Sequence, residues 1–232
     1  MLYAQISTLF IWLPILLGLL NWWEQEKVEG YLRLFLIFLL VGFTVDGLGW
    51  HLYQYYLGMI DGWVSFAYYE PIRFAVDIVK RSYGLFEGLC FLWFVSIGSD
   101  LKVRQLARWA MISIIPVWIF FEVLLPYNII DYVLTYKIAY YQAAYRILVS
   151  FLGGYALLKG IENDLLKVRH FKSWLLVAVF TYNLGTFFIM ILQRTTLAPR
   201  FWYLHNTLNM LTYIIYSLGL IYEIRLLRSA RN

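Results

Sequence analysis

Charge is scarce in this chain. Lys, Arg, Asp and Glu make up 14% of its 232 residues, against about 25% in an ordinary soluble domain. With 62% hydrophobic residues beside them, the apolar surface exceeds what one core can hide, so the surplus must face something other than water. Cysteine is scarcer still. The one present, Cys90, lies in an apolar run, which excludes an intrachain disulfide and a cysteine-based metal site. There is no Gly-rich phosphate loop ahead of a helix and no GxSxG elbow, and neither Ser96 nor Ser150 has a His nearby, so nucleotide and serine-hydrolase chemistry lack their signatures. The stretch 201–222 contains no Lys, which removes a retinal Schiff base there. Internal repeats, low-complexity runs and Gly/Ser linkers are missing too. No polar stretch is long enough for a separate soluble domain, so residues 1–232 are read as a single membrane domain. Met1 to Trp23 has no Lys or Arg and no small-residue cleavage pattern, and is expected to be a retained helix, not a removed signal peptide.

What is abundant is length of apolar run. Seven candidate spans can be marked: Leu2 to Trp23, Tyr31 to Tyr56, Ile78 to Gly98, Leu106 to Leu125, Ile138 to Gly160, Trp174 to Gln193 and Phe201 to Tyr222. About 20 residues in a helix cover the hydrocarbon core, so the expected fold is all-α: a polytopic bundle of seven transmembrane helices. Arg33, Asp46 and His51 interrupt the second span, and Lys80, Arg81 and Glu87 the third; without those two the count would be five. On the seven-span reading, twelve Lys and Arg fall in connections on one side and six on the other. Positive-inside bias then sets the N-terminus outside and the C-terminus in the cytoplasm. It also accounts for the net charge of +5 without nucleic acid as a partner. Trp22, Trp23, Trp50, Trp109, Trp174 and Trp202 near span ends suit anchoring at the interfaces. Residues 57–76 and 126–137 read as outer connections, and the C-terminal IRLLRSARN as a basic tail at the cytoplasmic surface.

The polar residues inside the spans carry the functional reading. In Phe201 to Tyr222, His205, Asn209, Tyr213 and Tyr216 recur at helical spacing and share a face, with Asn206 beside it. On this topology Asp46, His51, Glu87, Glu122, Gln142, Arg146, His205 and Asn209 gather toward the outer half, with Asn183 among the sparse polar positions deeper in. Each costs a few kcal/mol near mid-bilayer if left alone, so they should pair. Arg146 is the one deep cation, and its fork of donors suits a bridge to Glu87 or Asp46. Three readings stand: an internal staple, a ligand pocket open to the outer face, or a proton or ion path. A metal site built from His51, His205 and Asp46 or Glu87 is conceivable, but Asn209 stands where a second His would be wanted and Asn is a poor zinc ligand. No metal or other cofactor is expected.

Three stretches resemble a group of small seven-helix inner-membrane proteins of Bacteroidetes-type bacteria, mostly uncharacterised: YGLFEGLCFLWF at 83–94, FTYNLGTFFIMIL at 180–192 and FWYLHNTLNMLTYIIYSLGL at 201–220. The resemblance implies an inner-membrane location and no agreed activity. With no kinase or output domain before Asn232, the chain is expected to act as a non-enzymatic, sensor-like or accessory subunit, working through a membrane-protein partner and binding a small ligand or lipid headgroup. An intramembrane lipid-modifying enzyme and a small transporter are the alternatives.

Overall fold

The computed structural model describes residues 6, 9–25, 29–48, 69–97, 99–120, 131–163, 166–167, 170–192 and 198–231, and among them every regular element is helical. Seven α-helices follow in order: α1 (Trp12–Glu24), α2 (Gly30–Gly42), α3 (Tyr69–Ile97), α4 (Leu101–Ile119), α5 (Asp131–Glu162), α6 (Phe171–Leu192) and α7 (Ala198–Arg231). A π-helical segment, Phe43–Leu48, continues α2. Each helix packs on the next, α7 closes the ring on α1, and α3 also reaches α5 and α6, so it runs through the middle.

Local chemistry sets several of these boundaries. Asp100 caps α4: its carboxylate accepts a hydrogen bond from the Val103 amide at 2.9 Å, taking up one of the four amides a helix start leaves without a partner. Pro14 sits in the first turn of α1, where no amide hydrogen is needed. The inward faces follow helical periodicity. Pro14, Ile15, Gly18 and Asn21 are buried on α1, and Tyr31, Leu32, Phe35, Leu36, Phe38, Leu39 and Gly42 on α2. Phe35 is an aromatic hub, meeting Phe171 at 4.8 Å and Tyr216 at 4.9 Å edge to face, a geometry that matches ring edge to ring face.

Outward surfaces are apolar. Trp109, Ile112, Phe151, Leu158 and Phe188 are all exposed, a pattern that suits a hydrocarbon solvent and not water. Stretches of α5, α6 and α7 (Ala144–Glu162, Phe171–Ile189 and Tyr203–Arg231) are long and apolar enough to cross a bilayer, which marks a membrane protein. Hydroxyls on these surfaces bond their own helix: Thr44 to the Leu40 carbonyl, Ser113 to that of Trp109 and Thr207 to that of Tyr203, each at 2.8 Å.

Three helices run further than the hydropathy boundaries predict. α3 begins at Tyr69 and α5 at Asp131, so part of what reads as outer connection is helix. α7 continues to Arg231, so the basic tail is its last turns. There Arg228 and Arg231 pair with Glu24 at 2.8 and 2.9 Å, and Arg231 also donates to the Glu24 carbonyl. These contacts put the C-terminal ends of α1 and α7 together. Similarly, Lys172 at the start of α6 reaches Glu29, just ahead of α2, at 2.7 Å. Because the two arginines are half exposed, Arg228→Ala with Arg231→Ala should cost no more than about 1 kcal/mol in a micellar unfolding titration, and less as salt rises.

Candidate functional site

The site is assembled where α3, α5 and α6 converge. Arg146 lies midway along α5, and its Nη2 donates to Glu87 Oε2 of α3 at 2.7 Å, with both side chains buried. Its Nη1 donates to Asn183 Oδ1 of α6 at a long 3.4 Å, while Asn183 Nδ2 donates to the Val179 carbonyl of its own helix. Two rings flank the guanidinium, Tyr182 at 5.1 Å and Tyr145 at 5.5 Å from ring centroid to Cζ. Glu87 is therefore the partner of Arg146, and the rings supply a second favourable surface for a cation removed from water.

Small residues make that convergence possible. Gly88 stands one residue from Glu87, and a Cβ there would meet the Tyr145 ring at 2.9 Å. Gly153, further along α5, lies against Phe180 of α6. A side chain at Gly88 would displace the Tyr145 ring, whereas a Cβ at Gly153 would stand in ordinary contact 3.5 Å from the Phe180 Cβ.

Beside the pair is a cavity of about 60 Å³ between α2, α3, α6 and α7, large enough for a few water molecules. Glu87, His205, Asn209 and Thr212 contribute its polar wall, and Phe38, Tyr83, Phe91, Tyr182, Tyr213 and Tyr216 its rings. His205 Nε2 and Asn209 Nδ2 are 3.4 Å apart on successive turns of α7, and the His205 ring lies 6.3 Å from that of Tyr182. The face His205, Asn209, Tyr213, Tyr216 thus looks into the bundle. Among the described residues, Arg146 Nε, Thr186 Oγ1 and Tyr216 Oη are buried with no hydrogen-bond partner, and only Tyr216 of these three lines the cavity.

Other predicted site residues are distributed differently. Asn206 is half-buried on α7 but does not line the cavity. Asp46 falls in the π-helical segment and Gln142 in α5, their side chains outside the described set; His51 and Glu122 lie outside the described residues altogether. Among the described residues no three of His, Cys, Asp and Glu gather closely enough to hold a metal ion.

A second polar knot escaped the sequence reading. Glu223 of α7 is buried, accepting from Asn21 Nδ2 of α1 and from Tyr31 Oη of α2, each at 2.9 Å. Gln25 extends the chain by donating to Asn21 Oδ1 at 3.0 Å and accepting from the Glu29 amide at 3.1 Å. Lys172 lies over the Tyr31 ring at 4.6 Å. The signal was present: Glu223 is seven residues beyond Tyr216 and continues the same face of α7. Leu220 and Phe35, both fully buried, lie between the two polar levels. Comparison with family models, with curated proteins and with solved structures finds no match.

Proposed function

We propose that this is a seven-crossing bacterial inner-membrane protein, C-terminus in the cytoplasm, that acts as a sensor-like or accessory subunit and binds a small ligand or lipid headgroup in the chamber beside Arg146 and Glu87. The observation that supports it is the juxtaposition of a buried, one-to-one ion pair with a cavity lined by Glu87 itself. An ion pair sealed on all sides is a staple; a carboxylate shared between a guanidinium and a cavity is a place where an incoming group changes the pairing. Breaking or sharing the Glu87 contact alters how α3 packs on α5, which gives ligand occupancy a route to helix rearrangement and so to a membrane partner.

The pairing of α1 and α7 at their C-terminal ends supports an odd number of crossings. The basic side chains of Arg225, Arg228 and Arg231 are at that end, and His205 and Asn209 of the chamber lie nearer the opposite end of α7. A second reading, proton- or ion-coupled transport, draws on Glu223, which supplies a polar level nearer the basic end. Proteoliposome flux abolished by Glu87→Gln would favour it.

Water access is the test. In a Cys90→Ser background, Asn209→Cys should react with a small hydrophilic thiol reagent in lipid nanodiscs, and Leu220→Cys, fully buried at the apolar level, should not. Equal inertness at the two positions would make the cluster a sealed staple and end the ligand-chamber reading.

A further inference from the structure

The chamber has an unusual wall for a polar site. Among the described residues, six aromatic side chains line it, and Glu87 is the only lining one of the Asp, Glu, Lys and Arg type. Aromatic faces carry partial negative charge and attract cations. Of the two Glu87 oxygens, Oε2 holds Arg146, while Oε1 has no partner among the described residues. Glu87 is one of the residues that line the cavity.

Building on the ligand-chamber reading, we propose that the chamber takes a small primary ammonium group, with an N–H donating to Glu87 Oε1 and the cation seated against the faces of Tyr213 and Tyr83. Electrostatics select against the alternatives. An anion would meet the Glu87 carboxylate, which repels it, while Arg146 does not line the cavity and its two Nη atoms are taken by Glu87 and Asn183. A neutral alcohol keeps the hydrogen bond but loses the attraction of the rings. Volume sets the size: about 60 Å³ admits an ammonium with a short stem. The guest shares Glu87 with Arg146, so binding loosens the α3–α5 pair without any bond being made or broken covalently. Such a group comes from two sources, a free alkylamine or the ethanolamine headgroup of a phospholipid.

The experiment measures thermal unfolding of the full chain in nanodiscs of phosphatidylglycerol, titrated with ethylammonium, ethanol or acetate, and in nanodiscs with phosphatidylethanolamine added. A saturable rise in midpoint, on the order of 5 °C at a hundredfold excess over Kd, is expected with ethylammonium, with phosphatidylethanolamine, or with both, and not with ethanol or acetate. A response to ethylammonium in phosphatidylglycerol alone assigns the soluble source; a response confined to phosphatidylethanolamine assigns the headgroup. Tyr213→Phe, which keeps the ring, should retain the shift, and Tyr213→Leu should weaken affinity about tenfold, the worth of one ring face. Glu87→Gln should abolish the shift. A larger shift with acetate, an equal one with ethanol, no shift with either ammonium source, or indifference to both Tyr213→Leu and Glu87→Gln would overturn the proposal. Reactive Asn209→Cys alongside any of those results leaves the chamber standing and discards only the ammonium; unreactive Asn209→Cys discards both.

Discussion

Glu87→Leu alone is expected to destabilise the protein by about 3–5 kcal/mol, Arg146→Met alone by a similar amount, and the two together by less than either alone. The asymmetry comes from desolvation. Both side chains are buried, with 8% and 7% of their surface exposed, and each charge is tolerated because the other answers it. Removing one partner strands the other where solvation is poor, and that uncompensated charge, not the lost attraction, is the main cost. Replacing both with apolar side chains of similar volume removes the liability altogether. What the double variant still loses is the Arg146 contact to Asn183 and the flanking of the guanidinium by Tyr145 and Tyr182, each worth on the order of 1 kcal/mol. A residual deficit of about 1–2 kcal/mol is therefore expected. The check is a double-mutant cycle by reversible unfolding in mixed micelles, with a coupling of about 3 kcal/mol or more in favour of the pair. Additive losses would mean that the two residues do not share a site.

Gly219→Ala should be the second large effect, and it acts through packing alone. A Cβ at Gly219 would collide with the Trp174 Cβ and fall 2.7 Å from its Cγ. Neither atom is the free end of a flexible chain, so α6 and α7 must move apart. Membrane helices associate through close backbone approach over small residues, and overpacking of this kind costs about 1–3 kcal/mol. Trp174 also stacks on Tyr222 at 5.5 Å, so a shift there disturbs a second contact between the same helices. Gly84→Ala supplies the contrast. Among the described residues nothing lies within 4 Å of a Cβ at that position, and Ala is the better helix former by about 1 kcal/mol, so the same chemical change should leave stability equal or raised. Loss of stability in Gly84→Ala and none in Gly219→Ala would contradict the packing described for α6 and α7.

How much of this was legible depended on which physical signal each residue gave. Arg146 stood out because a deep cation in an apolar span has few tolerable explanations, and of its two candidate partners the structure brings Glu87 to it. The shared face of His205, Asn209, Tyr213 and Tyr216 was readable from spacing, since periodicity survives whatever the neighbours do. Asn183 read as a lone deep polar group, and its role as the second acceptor for Arg146 depends on the α5–α6 crossing, which hydropathy does not encode. Glu223 was missed for a different reason: span boundaries drawn where hydropathy falls ended at Trp23 and Tyr222, cutting Asn21 away from Glu223 and placing the latter outside the bundle. Helix propensity continues past such boundaries, as α7 does through Arg231. The hydroxyls followed their usual habit, Ser150 and Ser217 bonding backbone one turn back, with Thr186 the exception.

The separation of Arg146 and Glu87 in a high-resolution structure of the protein in a lipid nanodisc tests the account most directly. It predicts the guanidinium and carboxylate within hydrogen-bond distance at mid-bundle, with the Asn209 face looking into the adjoining cavity. Side chains turned to separate lipid-facing surfaces, or the cavity filled by a neighbouring helix, would contradict it.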